Sequence, residues 1–164
     1  MTLREVNYLV DSCEFQNLTS KFNLKFKVFG NDRILLKSKC FVLEIYGLVV
    51  EDFFYFELYS VDLNFYTNID RLLTDFDSGR IQSVYQTQIA TRKQVLMPYL
   101  QISQEQSNFE FTLKAEVYFF TILQLMDELL SDVLSCQREI KKEHWSETFE
   151  VKKNQLKIVL EDLK

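Results

Sequence analysis

The sequence predicts an α+β fold in which an antiparallel sheet packs against C-terminal helices. Three observations predict it. Apolar residues alternate with polar ones around Phe22–Phe29, as in a half-buried strand, while Phe53–Tyr59 carries large rings on both of its alternating faces. Apolar residues recur three and four apart from Phe119 onward, as on a helix. Only 3 glycines and 1 proline punctuate 164 residues, so turns fall to Asn, Asp and Ser, and long loops are few. Strands followed by helices give an α+β architecture. The length fits a single domain over residues 1–164, long enough to bury a core.

The elements follow in order. Residues 3–10 (Leu3, Val6, Leu9, Val10) read as a short helix, with an edge strand as the alternative. From Phe22, Leu24, Phe26 and Val28 point one way, and Lys25 and Lys27 the other. Core below and lysines above is the reading of that strand. Gly30-Asn31-Asp32 closes it, and Ile34–Lys39 starts the next strand. Phe41–Tyr46 and Phe53–Val61 are two further strands, joined by a turn at Glu51-Asp52, with Gly47 marking a bulge or close approach. Both faces of Phe53–Tyr59 carry large rings, so that strand is expected to be central or covered on both sides. Asp62 suits the N-cap of a helix over residues 63–76, ended by Ser78-Gly79. Weak strands are expected over 81–90 and 95–102, and a better one over 109–114. A long helix over 117–142 ends in Arg138, Lys141 and Lys142, which complement its dipole. Ser146 caps a last helix over 147–163, whose buried face is Phe149, Leu156, Val159, Leu160 and Leu163.

Composition excludes several classes. The formal charge of −5 opposes a general nucleic-acid binder, which needs a dominant basic surface. Cys13, Cys40 and Cys136 are odd in number, far apart and without a CxxC, so three reduced thiols in the cytoplasm are expected. The N-terminus shows no signal-peptide run, and no window reaches the length of a membrane span. One histidine, His144, rules out multi-histidine metal sites, and it reads as a solvated loop residue. Glycines at 30, 47 and 79 cannot write a phosphate-cradling loop. Acid pairs such as Glu51-Asp52, Asp75/Asp77 and Asp127/Glu128/Asp132 read as solvated faces, so no catalytic residue, metal or cofactor is expected.

Charge is sharply divided along the chain. Residues 44–77 hold eight acids against Arg71 alone, whereas residues 21–39 hold six bases against Asp32 alone. Tyr46, Tyr55, Tyr59 and Tyr66 lie among the acids. Tyrosine gives a large contact area with a polar tip, and acids around it steer a basic partner. The expected contact residues are Glu51, Asp52, Tyr55, Glu57, Asp70 and Asp75.

The order Phe41-Val42-Leu43-Glu44-Ile45-Tyr46-Gly47, then Asp52-Phe53-Phe54-Tyr55-Phe56-Glu57, then Val61-Asp62-Leu63 resembles small bacterial immunity proteins of polymorphic toxin systems, over about a third of the chain. The resemblance implies a compact, acidic, non-enzymatic cytoplasmic protein that inactivates a toxin by covering it. The expected partner is therefore a basic protein, with neither a membrane nor direct nucleic-acid binding. The basic stretch over 21–39 departs from that acidic pattern. A phage-encoded inhibitor of a bacterial defence nuclease, an enzyme with an acid pair, and a structural subunit using the 147–163 helix as an oligomer seam are the alternatives.

Overall fold

A computed structural model describes residues 9–30, 33–47, 54–100 and 106–163, and their side chains except those of 75–78, 92–100 and 106–115. The alternating segments form an antiparallel meander. Strands β1 (Lys25–Phe29), β2 (Arg33–Lys37), β3 (Phe41–Gly47), β4 (Phe54–Ser60) and β5 (Phe65–Asn68) lie side by side in chain order. A two-residue β6 (Ser146–Glu147) returns from the C-terminal region to pair with β5. Register sets Ile34 opposite Ile45, Ile45 opposite Phe56, and Leu43 opposite Leu58. Side chains alternate across the pleat, so these residues share one face and are all buried there.

Helices cover that face. They are α1 (Cys13–Lys21), α2 (Ile69–Leu100) and α3 (Gln106–Leu129), followed by the single turn α4 (Ser131–Leu134). Ser12 caps α1, its hydroxyl accepting from the Phe15 N–H. Phe119 of α3 centres the core, with its ring 5.2 Å from Phe54, 5.8 Å from Phe56 and 6.3 Å from Phe15. Helices α2 and α3 run antiparallel. Arg80 forms a two-pronged pair with Glu128, both contacts at 3.0 Å, and Gln88 bonds Gln124. The opposite face of the sheet is covered in part by α5 (Glu150–Glu161). Leu156 and Leu163 pack there on Leu35, Val42, Tyr59 and Leu63. The expected α+β class is therefore observed, with helical cover on both sides of β4.

Several expected boundaries are corrected. Residues 65–68 are strand, because Leu58 pairs with Thr67 and Tyr59 with Tyr66. Asp62 organises the preceding reversal and caps no helix. Its carboxylate accepts from Ser60 Oγ at 2.6 Å and from the Asn64 N–H at 2.9 Å. Helix α2 starts at Ile69, passes through Ser78-Gly79, and occupies the stretch expected as a strand over 81–90 and residues 95–100 of the one expected over 95–102, whose last two residues lie outside the described set. The strand expected over 109–114 lies inside α3. Phe109, Leu113, Val117 and Phe120 also fit a helical face, and a short alternating run does not separate the two periods. The helix expected over 117–142 stops at Leu129, and the last helix starts at Glu150 because β6 takes Ser146 and Glu147. Residues 3–8 of the expected first helix and the Glu51-Asp52 turn lie outside the described residues.

The cysteine expectation is also corrected. Cys40 and Cys136 form a disulfide across a sequence separation of 96, with Cα atoms 5.9 Å apart, and Cys13 is an exposed free thiol. The β2–β3 reversal and the end of α4 bring the pair together, a proximity that sequence spacing hides.

Candidate functional site

The alternation that turns Leu43, Ile45, Phe56 and Leu58 inward turns Glu44, Tyr46, Tyr55, Glu57 and Tyr59 to the other face. Glu44 lies opposite Glu57 in the ladder. Like charges directly across an antiparallel pair are unfavourable, and each acid has its own compensation. Glu57 accepts from the Tyr46 hydroxyl at 2.9 Å and from the Tyr59 hydroxyl at 2.8 Å. Glu44 is fully buried, with Arg33 Nη1 at 3.4 Å and Lys152 Nζ of α5 at 2.7 Å. The Lys152 contact compensates charge but is not aligned as a hydrogen bond, so Glu44 Oε1 has no aligned donor. Burial, reinforced by Glu57, pushes the ionisation of both phenols above the ordinary tyrosine range. Tyr55 stacks on Tyr46 at 5.0 Å, and Lys152 sits 5.7 Å over the Tyr46 ring.

The expected contact residues are thus distributed. Tyr55 and Glu57 share the outer face of β4, and Glu57 is already bound to two phenols. Asp70 opens α2 on the helical side, where it accepts a hydrogen bond from Tyr118 of α3. Burial and then Asp70 raise the ionisation of that phenol. Asp75 lies on the α2 backbone with its side chain outside the described set, and Glu51 and Asp52 are outside it altogether.

A second group of residues assembles at the β4–β5 turn. Leu63 adopts φ 66° there, anchored by burial under α5 and by its N–H bonding the Ser60 carbonyl at 2.8 Å. The turn faces the segment after α4, with a cleft of about 310 Å³ between them. Phe41, Leu58, Val61, Phe65, Ile140 and Trp145 give the cleft apolar walls, and both disulfide cysteines lie in it. Ser60, Asp62, Arg138 and Glu139 are its polar members. The Ser60 hydroxyl and the Asn64 amide hold Asp62 below the usual carboxylate range, so it is charged at neutral pH.

Next to the turn, β6 leads into α5. Phe149 was expected on the buried face of the last helix. It occupies the N-cap position instead and is 78% exposed, between exposed Glu147 and Glu150. The Thr148 N–H bonds the Asn64 carbonyl, and Lys153 reaches the Asn64 side chain, fixing this end of α5 against the β4–β5 turn. Sequence reasoning placed Asp62 within its acidic stretch but missed Val61, Phe65, Trp145 and Phe149. The one local signal was an aromatic enclosed by acids at Glu147–Glu150. No family model, curated protein or solved structure matches the chain.

Proposed function

We propose that this chain is a non-enzymatic binding protein that neutralises a protein partner by covering it, as an immunity protein covers its toxin, and that the partner docks on the edge formed by the β4–β5 turn, β6 and the start of α5. The observation that carries the reading is Phe149, 78% exposed and enclosed by Glu147 and Glu150. Interfaces place aromatic anchors inside polar rims, and a few such anchors carry most of the binding energy. Phe65, Val61 and charged Asp62 extend the same chemistry along the neighbouring turn. In this reading Glu57 and Asp70 build the scaffold, since phenols already occupy their carboxylates. Asp62, Glu147 and Glu150 then supply the field that draws in a basic partner.

The test is co-production with the product of the adjacent gene, scored as growth protection and then as affinity of the purified pair. Phe149→Ala should weaken binding by about tenfold or more, in the range of interface anchors. Glu150→Lys with Asp62→Lys should slow association and reduce its salt dependence. Full protection by the triple variant would remove the proposed surface. The proposed site of action is the cytoplasm. A compartment that keeps thiols reduced works against the Cys40–Cys136 bond, so counting alkylated thiols in intact cells (one or three) tests that location directly.

A second reading, an oligomerisation subunit, draws on Val151 and Ile158. They are seven residues apart on α5, hence on one helical face, and both are exposed. Light scattering on Val151→Asp with Ile158→Asp tests it, because a seam through this face would dissociate.

A further inference from the structure

The cleft beside the β4–β5 turn has two unlike walls. One is the sheet, with Phe41 and Leu58 below and the turn residues Val61, Asp62 and Phe65 beside them. The other is the chain from Cys136 to Trp145, which has little regular structure. Its first part hangs on the Asp132 carbonyl, which accepts from the Gln137 and Arg138 N–H groups at 2.8 and 3.0 Å. A single 3₁₀ turn, Lys142–His144, follows. The disulfide joins the walls, since Cys40 immediately precedes β3 and Cys136 begins the second wall. Backbone strain sits on both sides. Leu63 in the turn and Cys136 in the second wall hold φ near 66° and 63°, a region that costs energy for residues other than glycine.

The polar groups specify an occupant. Asp62 and Glu139 outweigh Arg138 in the cleft, so its charge balance favours a cation. The apolar floor and the Trp145 and Phe65 rings favour a bulky apolar body. A volume of about 310 Å³ stands at the small end of ligand sites, suited to a side chain or two. Val61 and Phe65 continue the cleft onto the exposed docking edge.

We propose that this cleft binds a bulky apolar side chain adjoining a cationic group on the partner, and that the Cys40–Cys136 bond holds the second wall in place, so that reducing the bond abolishes binding in the cleft. The proposal rests on the docking reading above for its partner. Opening proceeds by thiol–disulfide exchange with a cellular dithiol. Its thiolate attacks one sulfur, the S–S bond breaks, and a mixed disulfide forms. The second reductant thiol then displaces the remaining cysteine. The protein gains two electrons and two protons as two thiols, and the reductant departs as its disulfide.

The probes are phenethylamine, a phenyl ring with an ammonium group, and 3-phenylpropionate, the same ring with a carboxylate. Trp145 is the chain's only tryptophan and lines the cleft, so its fluorescence reports binding. Phenethylamine should bind the oxidised protein saturably, and 3-phenylpropionate about tenfold more weakly or worse. Reduction raises the free thiol count from one to three and should remove the phenethylamine response while circular dichroism shows the fold retained. Asp62→Asn and Phe65→Ala, with the bond intact, should each weaken the probe. Equal affinity for both probes overturns the occupant. Undiminished phenethylamine binding at three thiols overturns the gate. Loss of partner binding by Phe149→Ala alongside no probe binding sinks the cleft alone, and the reverse pattern sinks the docking reading alone.

Discussion

Glu57 shows how a single residue can carry an electrostatic role that its sequence neighbourhood disguises. It stands among acids and tyrosines, which suggested an outward docking point, yet both of its oxygens are taken by Tyr46 and Tyr59. Hydrogen bonds to a charged acceptor are worth more than neutral ones. Tyr59→Phe should therefore cost about 1.5–3 kcal/mol, the range for a hydrogen bond to a charged group, here a half-buried one. The pH dependence has a definite sign. Both phenols titrate above their unfolded value, so folding favours their neutral form. Their contribution is whole below about pH 10, the unfolded tyrosine range, and is lost as pH rises beyond it. Thermal melts across that range should show falling stability, with a shallower fall in Tyr46→Phe/Tyr59→Phe. Identical slopes in the two proteins would remove the phenol–carboxylate account.

Among the elements, α5 depends on a buried charge as much as on apolar packing. Glu44 is fully buried, and Lys152 and Arg33 are its cationic neighbours. Removing Lys152 leaves Arg33, at 3.4 Å, to balance the buried carboxylate, so Lys152→Met should cost about 2–3 kcal/mol, below the cost of a buried charge left wholly unpaired. Lys27→Met breaks an exposed pair with Asp162 and should cost about 1 kcal/mol or less. Urea melts of the two variants measure the contrast, and equal costs would mean that Lys152 does not balance Glu44. The same contrast explains what was legible. The strand around Phe22–Phe29 announced itself because period two survives, and Phe41–Tyr46 and Phe53–Tyr59 because short apolar and aromatic runs suit strands covered on both faces. The stretch over 81–90 did not, because its polar residues serve a helix pair. Gln88 bonds Gln124 and Arg80 bonds Glu128, so polarity that looked like an exposed strand is a surface between α2 and α3. Residues 65–76 fitted one helical stripe, yet Phe65–Asn68 joined the sheet, because the Ser60–Asp62–Asn64 bonds reverse the chain immediately after β4.

For the whole molecule, the decisive contacts are those that local sequence cannot contain. The docking edge joins residues 61–65 to residues 147–150 through the pairing of Phe65 with Glu147 and Tyr66 with Ser146. The acidic stretch contains Asp62, read there as a helix cap, and nothing within it could show that β6 returns beside it. The disulfide is the covalent link among these contacts and the one whose removal can be weighed. Closing a loop of this length restricts the unfolded chain, an effect of about 4–5 kcal/mol in the chain-entropy model. The bond lies at the margin of the core around Phe119, with Cys40 packed against it, while the rings at its centre come from α1, α3 and β4. Cys136→Ser should therefore keep the fold and its cooperative transition while losing about 2–5 kcal/mol. Cys13→Ser, at an exposed free thiol, should stay within about 0.5 kcal/mol of the parent. Denaturant melts read both, and the slope with denaturant supplies the second criterion. A loss confined to the unfolded state's entropy shifts the midpoint, with a modest rise in slope as the unlinked chain expands. A fall in slope together with lost near-ultraviolet dichroism would mean that the bond holds the core itself, and that the cleft is not a separable part of the molecule.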